Sequence, residues 1–261
     1  MTDISRKPAV LTLPGMDDVV LRADVPYQLS ELPRTLDLYY PAGAAPSTPL
    51  PAVVFVSGGS DAGMTRAMGC RFKEMASTTS WARLVAASGM IGIAYANGEA
   101  DDVYAVLKHV RHYASQLGVD PKRIGVWASS GHVPMALSVL MKDREIACAA
   151  LLYGYMLDSP GSTLVADTLK TWGFANPAAE KSIKDLRTDL PIFLARAGLD
   201  HFPHLNSSFD CFVSDAMARN MPIEVVNHAS GRHAFDILEE VDASRAVITR
   251  VLEFFGATLR R

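Results

Sequence analysis

Short, unbroken apolar runs recur along the chain. They are Ala52 to Val56, Ile91 to Tyr95, Ile124 to Trp127, Ala147 to Tyr153 and Ile192 to Ala195, and Ile223 to Val226 repeats their character with Glu224 inside it. None alternates apolar with polar residues, so each reads as a strand covered on both faces. Helical periodicity fills the gaps. After Asp101 and Asp102, apolar or aromatic residues return at Val103, Val106, Leu107, Val110 and Tyr113, and Gly118 marks an end. That spacing places one apolar stripe on a helix with an acidic first turn. A second helix-like run covers about Met135 to Met141, and a final amphipathic helix is expected over Leu238 to Phe255. Strands alternating with helices predict an α/β fold with a mostly parallel sheet and helices on both faces.

Two stretches depart from this rhythm. The first fifty residues are β-rich, with strands expected over Val19 to Ala23 and Leu36 to Tyr40 and a loop over Pro41 to Pro51. The stretch 156–187 holds Pro160, Gly161, Trp172, Gly173, Phe174 and Pro177 and fits no simple repeat. It reads either as an insertion over the C-terminal edge of the sheet, a candidate lid, or as an ordinary surface excursion with a helix.

Composition narrows the picture. The chain has 261 residues, 49% of them hydrophobic and 20% charged, which suits one α/β domain over 1–261 with a full core. Net charge is −3, with no basic tract, which argues against nucleic acid or an anionic membrane as partner. Cys70, Cys148 and Cys211 are widely spaced and odd in number, so neither a disulfide framework nor a zinc knuckle is expected. No apolar run reaches the roughly 18 residues of a membrane span. The N-terminus shows no signal peptide, so a cytoplasmic protein is expected. No His, Cys or acidic cluster has metal-ligand spacing, and no metal or other cofactor is expected.

The candidate chemistry lies where strands end. Arg123-Ile124-Gly125-Val126-Trp127 runs into Ala128-Ser129-Ser130-Gly131-His132, and a helix follows at once. Strand, sharp turn with serine, helix is the layout of a nucleophile elbow, although Ala128 and His132 stand where that pattern has glycines. His132 implies either extra room beside the turn or an imidazole facing the pocket. Asp200 stands just past the Ile192 to Ala195 strand, and His233 stands before the last helix. A serine hydroxyl needs a base to become nucleophilic, and the base needs an orienting carboxylate. Ser130, Asp200 and His233 supply those types in the order Ser, Asp, His. Ser129 and His228 are the local competitors. Asp210 and Asp215 fall inside a helix-like run and serve less well. His201 and His204 flank Asp200 and could line a pocket. His109 and His112 read as solvent-facing. Upstream, Ser57-Gly58-Gly59-Ser60 ends another strand. The N–H of Gly59 or Ser60, with that of Gly131, could bind an oxyanion.

Four segments together, VVFVSGG, RIGVWASSGHVPMALSVL, PIFLARAGLDHFPHLNSS and VVNHASGRHAFD, resemble the α/β-hydrolase superfamily, near its dienelactone hydrolase-like and small serine esterase branches. With the strands between them they span about Leu36 to Phe255. The resemblance implies an α/β-hydrolase fold and a serine hydrolase of carboxylic esters or lactones, working through an acyl-enzyme. It assigns Ser130 as nucleophile, His233 as base and Asp200 as acid. His132, Tyr153, Tyr155, Met156, Trp172 and Phe174 are candidates for the substrate pocket. A small-molecule ester or lactone is then the partner, and a homodimer is compatible. A small peptidase, an acyltransferase and a non-catalytic ligand-binding homologue are the alternatives on the same fold.

Overall fold

The computed structural model describes residues 4–28, 34–44 and 48–260. Along the chain come β1 (Val20–Gln28), β2 (Arg34–Tyr40), β3 (Leu50–Phe55), α1 (Asp61–Met68), α2 (Ala76–Ala87), β4 (Ile91–Tyr95), α3 (Asp102–His112), α4 (Ala114–Leu117), β5 (Val119–Ser129) and α5 (Val133–Lys142). Then follow β6 (Cys148–Leu152), α6 (Leu164–Trp172), β7 (Ile192–Ala197), α7 (Leu205–Ala218), β8 (Ile223–His228), α8 (Phe235–Leu238) and α9 (Asp242–Leu259). The strands form one sheet in the order β1-β2-β4-β3-β5-β6-β7-β8. Pairings from β4 to β8 are parallel; β1 with β2 and β2 with β4 are antiparallel.

Alternate residues of each strand point to opposite faces, and each face carries its own core. Ala52, Val54 and Val56 belong to a continuous cluster that includes Val103, Val106 and Val110 of α3, α5, and Phe209 and Phe212 of α7. Val53 and Phe55 point the other way, into a cluster with Trp81 and Leu84 of α2 and Val251 and Phe255 of α9. Every residue of β4 and β6 is buried, as their unbroken apolar runs require.

α2 crosses β4 at Gly92 with no space for a side chain. A Cβ at Gly92 would lie 2.7 Å from the carbonyl oxygen of Ala82 and 2.9 Å from its Cα. Gly92→Ala must therefore push helix from sheet, at a cost of about 1–3 kcal/mol. A drop of that size in urea-unfolding free energy is the expected result.

The structure refines several boundaries. The helix expected over Leu238 to Phe255 is two: Leu238 closes α8, Glu239 is extended, and α9 starts at Asp242. The loop expected over 41–51 ends earlier, because Leu50 and Pro51 already belong to β3; residues 45–47 lie outside the described residues. The Asp102 helix bends at Tyr113 and stops at Gly118, which takes a left-handed conformation. His112 is exposed, but His109 is half-buried against Tyr113. Within 156–187 lie α6 and a short 3-10 turn at Ile183–Asp185. Val165 and Leu169 of α6 pack on Tyr155 and Leu205, so this segment rests on the C-terminal ends of β6 and β7. Among the described residues no helix is long and apolar enough to cross a membrane.

Candidate active site

β5 ends at Ser129, and the next residue turns the chain. Ser130 has φ +55°, in the left-handed region that side-chain-bearing residues rarely occupy. That conformation costs an L-residue about 1–2 kcal/mol, so the surrounding packing has to hold it. α5 starts three residues on, with a proline in its first turn where no N–H is needed. The turn thus lifts the Ser130 side chain above the end of the sheet.

Two other strand ends meet it there. Ser130 Oγ lies 2.7 Å from Nε2 of His233, and Nδ1 of His233 lies 2.6 Å from Oδ2 of Asp200. The Asp200 carboxylate is fully buried, and its other oxygen accepts the Phe202 N–H at 3.0 Å. With Oδ2 accepting from Nδ1–H, Nε2 is left bare to accept from the serine hydroxyl. The His233 ring is held edge-on by Phe202, 4.5 Å between centroids, and by Tyr153, 5.1 Å. Tyr153 is held in turn by Asp236, whose buried carboxylate accepts from the Tyr153 hydroxyl at 2.5 Å and from Trp81 Nε1 at 2.7 Å. Burial raises the Asp236 carboxyl above its ordinary pKa.

The two local competitors go elsewhere. His228 is buried and bonds Ser244 of α9 through Nε2 at 3.0 Å. Ser129, in extended conformation, lines the cavity beside Ser130 but makes no bond to His233. His201 stacks on Phe202, and His204 is exposed at the start of α7. Asp210 pairs with Arg196.

A cavity of about 290 Å³ opens beside Ser130. An apolar cavity of roughly 150 Å³ holds a benzene, so this one accepts a group about twice that size. Ser130, Gly131, His132, Tyr153, Tyr155, Trp172, Phe174 and His233 line it, as the sequence suggested. Met156 does not: it is buried in the core below, and its N–H donates to Ser208 Oγ. Beyond the end of β6, Tyr155 turns to the cavity and Met156 turns into the core. The sequence reading missed Met64, Met68, Phe72, Met75, Trp127 and Phe202. Met64 and Met68 stand four apart on α1, a spacing that could have marked them as one face.

Gly131 reaches the cavity, but Gly59 and Ser60 are outside its lining. Ser60 caps α1, its Oγ accepting from the Gly63 N–H, and the Gly59 N–H makes only a long 3.4 Å contact with Ser57 Oγ. The close approach belongs to Gly58. A Cβ there would meet the Gly131 carbonyl at 3.0 Å and the His132 Cα at 3.1 Å. Its N–H donates to His132 Nδ1 at 2.8 Å, and its carbonyl accepts the Ala175 N–H at 2.8 Å. Space that the elbow pattern reserves with its last glycine is reserved here by a glycine on the facing loop. Phe174 covers the turn from above, its ring 2.5 Å from where a Gly131 Cβ would stand.

Burial pushes the His132 pKa down to about 4. The unfolded chain takes up this proton near pH 6.5, whereas the folded chain resists until about pH 4. Stability is therefore lost as pH falls through that window, by up to about 3 kcal/mol from this residue. Urea unfolding at pH 7 and pH 4.5 should show a smaller acid loss for His132→Asn than for the unaltered protein.

No protein-family model and no curated protein matches the chain. Solved structures do. A thermostable esterase from Pseudomonas putida superposes with a TM-score of 0.72 at 16% identity, covering 94% of this chain and 84% of that one. A bacterial heroin esterase gives 0.72 at 18%, covering 97% and 88%. A thermostable carboxylesterase from a metagenomic library gives 0.71 at 20%, covering 98% and 92%. Sheet order, parallel register and these superpositions agree: the chain has the α/β-hydrolase fold.

Proposed function

We propose that the protein is a serine hydrolase of carboxylic esters. The observation that carries this reading is the unbroken chain Ser130 Oγ, His233, Asp200, with contacts of 2.7 and 2.6 Å at the mouth of an apolar cavity. Ser130 attacks the ester carbonyl as His233 Nε2 takes its proton. The tetrahedral intermediate collapses, and His233 passes the proton to the leaving alkoxide. Water, activated by the same imidazole, then releases the acid from the acyl-enzyme. Asp200 holds the His233 tautomer and stabilises the imidazolium. The Gly131 N–H, directly after the nucleophile, is one oxyanion donor. The Gly59 N–H, held only by a 3.4 Å contact with Ser57 Oγ, is the proposed second donor, and it would have to reach the oxyanion from outside the cavity lining.

The names of the similar structures, esterases and a carboxylesterase, support the ester class. Lactones are cyclic esters and fall under the same chemistry, which keeps the dienelactone hydrolase-like branch within the proposal. The segment 156–187 acts as a cap, since Leu169, Trp172 and Phe174 form part of the cavity wall. A panel of p-nitrophenyl esters, simple lactones and amino-acid p-nitroanilides tests the assignment. Ester or lactone turnover at least 100-fold above anilide turnover is expected; preferential anilide cleavage would make the protein a peptidase.

A further inference from the structure

We propose that His132 is a specificity-determining residue whose Nε2–H donates a hydrogen bond to an oxygen of the bound ester away from the scissile carbonyl. This rests on the ester-hydrolase reading and adds a preference to it: substrates carrying a second oxygen acceptor, such as an ether, in the acyl or alcohol part.

The tautomer follows from one contact. A backbone N–H can only donate, so the Gly58 N–H at 2.8 Å requires a bare, accepting Nδ1 on His132. The neutral ring then carries its proton on Nε2. Phe72 and Phe174 flank the ring, with centroids 4.7 and 5.1 Å away. His132 is 7% exposed and lines the cavity, and among the described residues none accepts from Nε2. This edge of the ring faces the cavity, where an oxygen of a bound ligand would pair the donor and a purely hydrocarbon ligand would not.

The rest of the wall sharpens the point. The Tyr153 hydroxyl is spent on Asp236 and the Tyr155 hydroxyl on the Pro203 carbonyl. Trp127, in the same wall and only 4% exposed, has a buried Nε1–H that also lacks an acceptor. The remaining surface combines methionine, phenylalanine and other apolar side chains with the hydroxyls of Ser77, Thr78 and Ser129, which lie in the same lining. An all-carbon acyl chain would fill this space and leave both donors unpaired, whereas a chain with an oxygen would pair one.

Matched substrates test this. kcat/KM is measured for p-nitrophenyl 4-methoxybutanoate against p-nitrophenyl hexanoate, and for methoxyethyl against butyl esters of one acid, each ratio corrected for hydroxide-catalysed hydrolysis. The unaltered protein should favour the ether in one pair at least. His132→Asn keeps an oxygen for the Gly58 N–H but removes the Nε2–H. It should lower the favoured ratio at least about fivefold, and His132→Phe should do the same. Ratios that stay put in an active His132→Asn variant overturn the proposal. If the variants do not fold, histidine ¹⁵N spectra of the unaltered protein decide. The His132 Nε2–H resonance should move with a trifluoromethyl ketone bearing an ether oxygen and not with its all-carbon counterpart; identical responses overturn the proposal. Absence of turnover for every ester would instead count against the hydrolase reading, and the spectra would still answer for His132.

Discussion

Ser130→Ala lowers ester turnover by roughly 10⁴- to 10⁶-fold while the protein stays folded. The size follows from removing a group that works as one unit with its base, leaving only binding and oxyanion stabilisation. The same position gives an independent stability signal. Ser130 has φ +55°, and alanine keeps that strain because it keeps a Cβ. Ser130→Gly relieves it, so the glycine variant should be equally inactive yet about 1 kcal/mol more stable than the alanine variant. Initial rates on a p-nitrophenyl ester and urea titrations of both variants check the two halves. An ordinary surface serine would show neither effect.

Asp200→Asn gives the second large effect, a fall of about 10⁴-fold in kcat with KM little changed. The carboxylate has no solvent exposure, and its two oxygens are committed to His233 Nδ1 and the Phe202 N–H. An amide can satisfy one of these and presents the wrong partner to the other. If its NH₂ faces the ring, Nδ1 must accept, Nε2 carries the proton, and the imidazole no longer takes one from Ser130. Single-turnover measurements should place the loss in acylation. A drop below tenfold would mean that another group orients His233.

Much of this site could be read from the chain because each of its three principal residues follows a parallel strand, β5 and β7 largely buried and β8 half-exposed at the sheet edge. β5 and β7 announce themselves as apolar runs, β8 more weakly because Glu224 interrupts it, and a parallel sheet brings their C-terminal ends to one rim. The exit from the sequence alone comes where contacts are not local. Met64, Met68, Phe72 and Met75 reach the cavity only because the α1–α2 region folds back across the rim. Met156 could not be separated from Tyr155 by type, since a cavity wall and the core beneath it demand the same residues. The amphipathic pattern from Leu238 to Phe255 hides the break at Glu239, whose carboxylate is turned back to the Arg232 N–H. His132 looked like a disruption of the elbow. Its accommodation depends on Gly58, 74 positions away in sequence, and only the fold pairs them.

Phosphonylation tests the central claim most directly. On the proposed mechanism one hydroxyl, that of Ser130, lifted by a strained turn and deprotonated by His233, is far more nucleophilic than every other in the chain. Folded protein treated with a fluorophosphonate and digested should carry one equivalent of phosphonate on Ser130, and His233→Ala should lose that reaction. Folded protein that stays unlabelled, or carries the label on Ser129 or elsewhere, would contradict it.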